Sequence, residues 1–385
     1  MSSQNQTTLP RNKAAWDKDQ NFLGVIKESP RKLLWLLGTA ASPPTRRLEE
    51  RDFEAACVFA LRCWHVLPLI GPKLLALASS HNFEGAELQR VRDRTASLTV
   101  LARLQVKLCQ RLTEELDRQG VPYALLKGSA ARFLAYTDPA SRCGLDIDIG
   151  VPRPFLGTVE RVVQGQGFVP AQWSPEDRRF VRANPILRAI VESRHYELGF
   201  YVRSQVIENL EPEDEAAIRR ALPMDYLWSL TRDDKPACYV TLDLHHGLCL
   251  DIQVDPLVAS AHRPAGKDYA PLVPQPEWIV FHLIYKIYWE GSHEYRTGGS
   301  QYADLIRLLP LCRGEHEAAL IKLLARYRLE VAGYYVLRRV ESDFQMPLSK
   351  TLRRFLSEHE QAPADGAPVQ LNDLGDMWPK LWGYR

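Results

Sequence analysis

Asp146 and Asp148 stand in Leu145-Asp-Ile-Asp-Ile-Gly-Val151, where every second residue is apolar. A strand with that pattern projects both carboxylates from one face. Two like charges held so close repel and raise each other's pKa, and a divalent cation relieves them. Mg²⁺ suits such a pair because it takes one or two carboxylates together with the phosphates of a substrate. The pattern points to a site that handles nucleotides; the plainer alternative is an edge strand whose acids face water.

Other residues can complete such a site. Gly128-Ser129 follows the short apolar run Pro122–Leu126, where a strand turns into a helix that begins at Ala130. A turn of this kind offers free backbone N–H groups and a hydroxyl to an anion. Gly128 lets the backbone approach a triphosphate closely, and Ser129 can donate to a β- or γ-phosphate oxygen; an ordinary helix cap is the plainer account. Lys127 and Arg142 are candidates to neutralise the phosphates. His195 and Glu197 share one face of a later strand, and His195 is a candidate contact for the nucleotide or the acceptor. Three acids are open as a third carboxylate: Asp243, in the strand pattern Tyr239–His245 with Thr241 and His245 on its own face, and Asp251 and Asp255, where the alternation is less regular. His245 and His246 are adjacent on that strand and point to opposite faces, which argues against zinc.

The elements that must hold these residues follow from periodicity. Apolar residues recur at helical spacing in Phe53–Ala60, Val66–Leu77 and Leu98–Leu116, the last followed by Gly120 as a stop. Strands are expected at Pro122–Leu126, Leu145–Val151, Phe168–Pro170, His195–Val202 and Ala237–His246, with helices at Pro154–Val163 and Glu213–Leu222. From Pro276 the pattern is helical again, in Glu277–Trp289, Gln301–Leu309, Glu315–Arg326 and Leu329–Glu341. The expected organisation is a disordered N-terminus (1–22), an N-terminal helical region (23–120), an α/β core (121–275), a C-terminal helical region (276–358) and a mobile tail (359–385) ending in the aromatic cluster Trp378–Trp382.

A chain of 385 residues, 45% hydrophobic, is long enough for a sizeable core. Its 49 basic and 47 acidic side chains nearly cancel, so no global field attracts nucleic acid or a membrane surface. Seven scattered cysteines without a Cys-x-x-Cys pair read as buried thiols of a reducing compartment. No run approaches a membrane span, which points to the cytoplasm and to no membrane partner; no feature singles out DNA. The stretch Arg178, Arg179, Arg182, Arg188 and Arg194, with Trp173 and Phe180 nearby, can meet a phosphate backbone, though a solvated helix face explains it more simply. Phosphate-loop, nucleophile-elbow and zinc-peptidase motifs are missing: His316-Glu317 has Leu320 where the second histidine would stand.

Taken in order, Leu125-Leu126-Lys127-Gly128-Ser129, Tyr136, Arg142, Asp146-Ile147-Asp148, Leu242-Asp243-Leu244-His245 and the later helix containing Asp304 resemble the bacterial nucleotidyltransferase family of the polymerase-β-like superfamily. The resemblance implies an α+β fold, a small mixed sheet flanked by helical regions. It favours Asp243 as the third carboxylate, with Asp146 and Asp148 as the other metal ligands. It implies Mg²⁺, or Mn²⁺ in its place, and an NTP such as ATP as substrate. An NMP would pass to an acceptor hydroxyl on a small molecule, a protein or an RNA, with release of pyrophosphate. Two other readings share the fold: a catalytically idle nucleotide- or partner-binding module, and a transferase acting on RNA or tRNA ends. The loop from Gly128 to Asp146 is longer than in compact members of the superfamily, and Cys143-Gly144 departs from the bulkier polar pair expected before the acids.

Overall fold

The computed structural model describes residues 50–360, apart from 63, 175, 177–178, 223–226, 250–251, 266–268, 290–298, 343 and 345. The expected disordered N-terminus, the terminal aromatic cluster and the competitor Asp251 lie outside the described residues.

Three helices lead in: α1 (Glu50–Arg62), α2 (Leu67–His81) and the long α3 (Ala86–Arg118). The leucine stripe of α3 is core, with Leu98, Leu101, Leu108, Leu112 and Leu116 all buried. Burying each such side chain contributes roughly 1.5–3 kcal/mol. Beyond the helix, Gly120 takes a left-handed φ of 65°, a backbone conformation that only glycine adopts without strain, and the chain turns into the sheet.

The core runs β1 (Ala124–Leu125), α4 (Lys127–Ala135), β2 (Asp146–Gly150), α5 (Leu156–Gly165), β3 (Val169–Ser174), β4 (Arg179–Arg182), α6 (Pro185–Arg194), β5 (Glu197–Val206), α7 (Pro212–Ala221), β6 (Trp228–Leu230) and β7 (Pro236–His245). Seven described strands form one mixed sheet in the order β1-β2-β7-β5-β3-β4, with β6 also paired to β7. Only β2 and β7 are parallel; the other pairs are antiparallel. One face of the sheet is apolar, carrying Ile147 and Ile149 of β2, Val240, Leu242 and Leu244 of β7, and Leu198 and Tyr201 of β5, all buried. The acids occupy the other face.

The chain continues through the small hairpin β8 (Gly247–Cys249) and β9 (Ile252–Gln253), then α8 (Asp255–Ala259), α9 (Pro276–Trp289), α10 (Gly299–Leu308), α11 (Glu315–Arg326), α12 (Glu330–Ser342) and α13 (Lys350–His359). Helix α4 packs on α9 and α10, and α3 packs on α7. Buried residues from Phe53 to Leu356 make one continuous hydrophobic cluster, so both helical regions share their core with the sheet. The described cysteines Cys57, Cys109, Cys143, Cys238, Cys249 and Cys312 are free thiols. No helix among the described residues is long and apolar enough to cross a membrane.

Two local readings change. Arg179–Arg182 is a strand, hairpinned to β3, and only Pro185–Arg194 is helical, so the basic stretch is not one solvated helix face. The alternation Arg179-Phe180-Val181-Arg182 explains it: Phe180 pairs with Trp173 and stacks edge-on against it. Helix α4 begins at Lys127 and not at Ala130, which puts Gly128 and Ser129 in its first turn.

Candidate functional site

The parallel register of β2 and β7 sets Asp148 beside Asp243 and Asp146 beside Thr241. Side chains at i and i+2 share a face, so Asp146, Asp148, Asp243 and His245 all project from the same side of the sheet. From the neighbouring strand Glu197 is paired with His245, and Phe200 with Asp243. A bulge between Glu197 and Phe200, with Gly199 at a φ of 81°, inserts the extra residue that turns both of these side chains toward the acids.

The cluster is dense. Lys127 Nζ donates to Asp148 Oδ1 at 2.6 Å and lies 3.6 Å from Glu197 Oε1. His245 Nε2 is 3.1 Å from the same Asp148 oxygen, and His245 Nδ1 is 3.4 Å from Glu197 Oε1. The Asp146 and Asp243 carboxyls lie on the same face and act on each other's ionisation. One ligand atom from each of Asp148, Asp243 and His245 lies within 4.8 Å of the others. Asp243 Oδ1 and His245 Nδ1 are buried without a hydrogen-bond partner. A buried carboxylate oxygen left in this way is costly unless something else binds it. Two carboxylates and an imidazole within one small sphere are the donor set of a divalent cation, so the residues present fit such an ion.

Electrostatics separate the three acids. Burial raises the Asp243 carboxyl well above the ordinary range, and the charges of Asp146 and Asp148 raise it further. Asp146 is likewise pushed up, by burial and then by Asp148, to about 6. Burial also works against charge on Asp148, but the Lys127 ammonium and the hydrogen bond from His245 outweigh it and hold this carboxyl below the ordinary range. Lys127, although buried, is held well above the usual lysine value by Asp148, Asp146 and Glu197. Burial, then Lys127, lowers the His245 imidazole and keeps it neutral, the form that ligates metals.

Gly128 and Ser129 stand where expected, at the N-terminus of α4 beside the acids, but the serine hydroxyl has another role. It accepts the Asp148 N–H at 3.1 Å and donates to the Asp146 carbonyl at 3.4 Å. β1 is only two residues long and leaves this outer edge of β2 short of partners, and the hydroxyl supplies them. The first-turn N–H groups of α4 are what this corner offers an anion.

Arg142 is a correction. Its guanidinium forms a bidentate pair with Asp304 of α10, Nε to Oδ1 at 3.0 Å and Nη2 to Oδ2 at 2.9 Å, and its Nη1 donates to the Cys143 carbonyl. Tyr136 donates to the same Asp304 carboxylate at 2.7 Å. All three are buried, so this arginine braces the loop before β2 instead of meeting a triphosphate. It lies under Gly128, where an added Cβ would come within 2.7 Å of Arg142 Nη2. The Cys143-Gly144 departure has a similar cause. Gln105 of α3 grips Gly144 at both N–H and C=O, at 3.0 and 2.8 Å, and a Cβ on Gly144 would sit 2.7 Å from the Asp146 carbonyl.

His195 lies just before β5 at the rim, 44% exposed, with Nδ1 3.6 Å from Glu197 Oε2. It is near the cluster through Glu197 but not part of it. His245 belongs to the cluster, and the sequence reading gave it no role, although it shares the face of Asp243. Helix α9 adds His282, which burial and then Lys127 hold well below the usual histidine value, and Lys286, whose charge lowers both Asp146 and Asp148. Two polar residues four apart in the apolar run Pro276–Trp289 were the available signal.

A family model described as an uncharacterised nucleotidyltransferase matches residues 55–345, which runs from within α1 through α12 and includes every residue of the site. No curated protein matches the chain.

Proposed function

Because this chain belongs to the uncharacterised nucleotidyltransferase family, we propose that its acid face carries out metal-dependent transfer of an NMP from an NTP to an acceptor hydroxyl, releasing pyrophosphate. The observation that supports this most is the pairing of Asp148 with Asp243 on adjacent parallel strands, with Asp146 on the same face and a buried Asp243 oxygen left without a partner.

Asp146, Asp148 and Asp243 would hold the cation, Mg²⁺ or Mn²⁺, and His245 inclines the site toward Mn²⁺ because imidazole is a better ligand for it. When bound, the cation neutralises charge on the phosphates and on the attacking and leaving oxygens. The remaining steps belong to the chain. Gly128 and the N–H groups opening α4 receive the β- and γ-phosphates, as helix N-termini receive anions generally. The Lys127 ammonium, already inside the cluster, turns to a phosphate oxygen as the nucleotide enters, and Lys286 adds positive charge from α9. Asp243, the acid nearest β5, would take the proton from the acceptor hydroxyl.

The test is label transfer. The full chain is incubated with α-labelled NTPs, Mn²⁺ or Mg²⁺ and a cell extract, and the labelled fraction is recovered. Asp148→Asn should reduce transfer on the order of 10³-fold, several kcal/mol of transition-state stabilisation, with the circular dichroism spectrum unchanged. Full transfer by that variant would overturn the assignment.

A further inference from the structure

The acid face does not end at Asp243. Continuing along β7 on the same side come Thr241 and Tyr239, opposite Val202 and Ser204 of β5. The β3–β4 hairpin curls over this end of the face: Phe180 of β4 reaches Tyr239 of β7 in an edge-on contact with centroids 5.2 Å apart. Between hairpin and sheet lies a cavity of about 640 Å³, lined among others by Phe180, Arg182, Val202, Ser204 and Tyr239. That volume is in the range of roughly 300–1,000 Å³ that holds small molecules. Val202 stands beside Thr241, one pleat or about 7 Å from Asp243, and Tyr239 two pleats or about 13 Å away. Phe200, paired with Asp243 and 49% exposed, bridges the interval.

We propose that this cavity is the acceptor pocket and that it takes a small hydroxylated molecule with a flat apolar part and an anionic group. The proposal rests on the transferase reading, and in-line geometry supplies the direction. The attacking oxygen must lie opposite the leaving pyrophosphate across the α-phosphorus. The pyrophosphate end is at α4, on the β1–β2 side of the acids, so the attacking hydroxyl approaches from the β5–β3 side, where the cavity lies. The acceptor oxygen bonds to the α-phosphorus, the bond from that phosphorus to the bridging oxygen breaks, the pyrophosphate leaves with the bonding pair, and the hydroxyl proton passes to Asp243.

The lining gives the chemistry of the occupant. Phe180 and Tyr239 offer aromatic surfaces, and Ser204 and the Tyr239 hydroxyl offer hydrogen bonds. Among the described residues no acidic side chain lines the cavity. Arg188 is engaged by Glu160 and Glu192, whereas Arg182 is exposed at the rim without an ion pair among the described residues. A free guanidinium beside aromatic rings selects a planar anion of modest size.

The probe is 1-naphthyl phosphate, titrated by calorimetry into the full chain carrying Asp148→Asn so that no turnover intervenes, alongside a parallel titration of the unaltered chain with ATP and Mn²⁺. Saturable probe binding is expected, weakened about tenfold by Arg182→Ala and about tenfold when 1-naphthalenemethanol replaces the phosphate. Ser204→Trp, which fills the cavity, should abolish probe binding while ATP still binds. Equal probe affinity with and without Arg182, or a probe that does not bind while ATP does, overturns the acceptor pocket alone. Loss of ATP binding but not of probe binding in Ser204→Trp would assign the cavity to the nucleoside and also overturn it. Failure of the unaltered chain to bind ATP with Mn²⁺ overturns the transferase reading, and the pocket with it.

Discussion

Two buried ion-pair clusters flank helix α4, and they are built on opposite terms. In the first, Arg142, Asp304 and Tyr136 satisfy one another: one guanidinium faces one carboxylate in a fork, and the phenol donates to the same carboxylate. In the second, Lys127 and a lowered His245 face Asp146, Asp148, Asp243 and Glu197, and two buried polar atoms go without hydrogen bonds. Burial alone does not distinguish them, since Asp304 and Asp148 are both almost fully enclosed. What differs is closure: the first cluster is neutralised and saturated, and the second sets four acids against one lysine and leaves two polar atoms without hydrogen bonds. A closed cluster holds shape, and an open one is available for chemistry.

The contrast can be broken by mutation. Arg142→Ala should lower unfolding free energy by about 3–5 kcal/mol, because it strands the Asp304 carboxylate in the interior; urea titration followed by fluorescence reads it, and a loss under about 1 kcal/mol would show that the first cluster is not closed.

Removing an acid from the second cluster should do the opposite. The folded pKa values of Asp146 and Asp243 are raised above an unfolded value of 3.8. Their contribution is therefore fully present below about pH 4 and is lost as pH rises through the raised folded values, about 6 for Asp146. Asp148 has the reverse sign: its lowered folded pKa gives a contribution present above 3.8 and lost as pH falls. Asp243→Asn should accordingly raise the melting temperature in chelator by a few degrees at pH 7.5 and leave it nearly unchanged at pH 4. Melts that shift equally at both pH values would mean that the acids are not in conflict.

The smallest effect is expected at His195, whose exposed ring reaches the cluster only through Glu197. His195→Ala should alter ATP affinity by no more than about twofold and stability by less than about 0.5 kcal/mol. A tenfold loss of affinity would bring this histidine into the nucleotide contact that its position in the sequence suggested.

How much of this was legible in the chain depends on the range of the interaction. The alternation around Asp146 and Asp148 is local, so their common face could be read directly, as could the leucine stripe of α3 and the mixed α+β character. Asp243 was reached because its strand pattern and family resemblance agreed, but its register against Asp148 is a long-range property that no local pattern contains. Arg142 was misread for a related reason: its partner Asp304 lies 162 residues away, and an isolated arginine near a phosphate-binding turn resembles a phosphate ligand. Ser129 is visible in the chain as part of a strand-to-helix corner, yet the role of its hydroxyl depends on how short β1 is. Helix α13 went unread, although Leu352, Phe355 and Leu356 recur at helical spacing and Ser349 caps it; a charged face, rich in arginine and lysine, obscured the pattern.

The bulge in β5 has a consequence for how variation can enter this protein. It acts as a phase-setting insertion: three steps from Glu197 to Phe200 are matched against two from His245 to Asp243. Flattening the bulge without shortening the strand would shift the pairing by one residue, send Glu197 into the oily layer and turn Leu198 toward the acids. Point changes in Phe200, Val202 or Ser204 leave that phase intact. The strand can therefore exchange what it offers to an incoming molecule one side chain at a time, whereas the left-handed backbone at Gly199 is what keeps Glu197 in step with the acids next door.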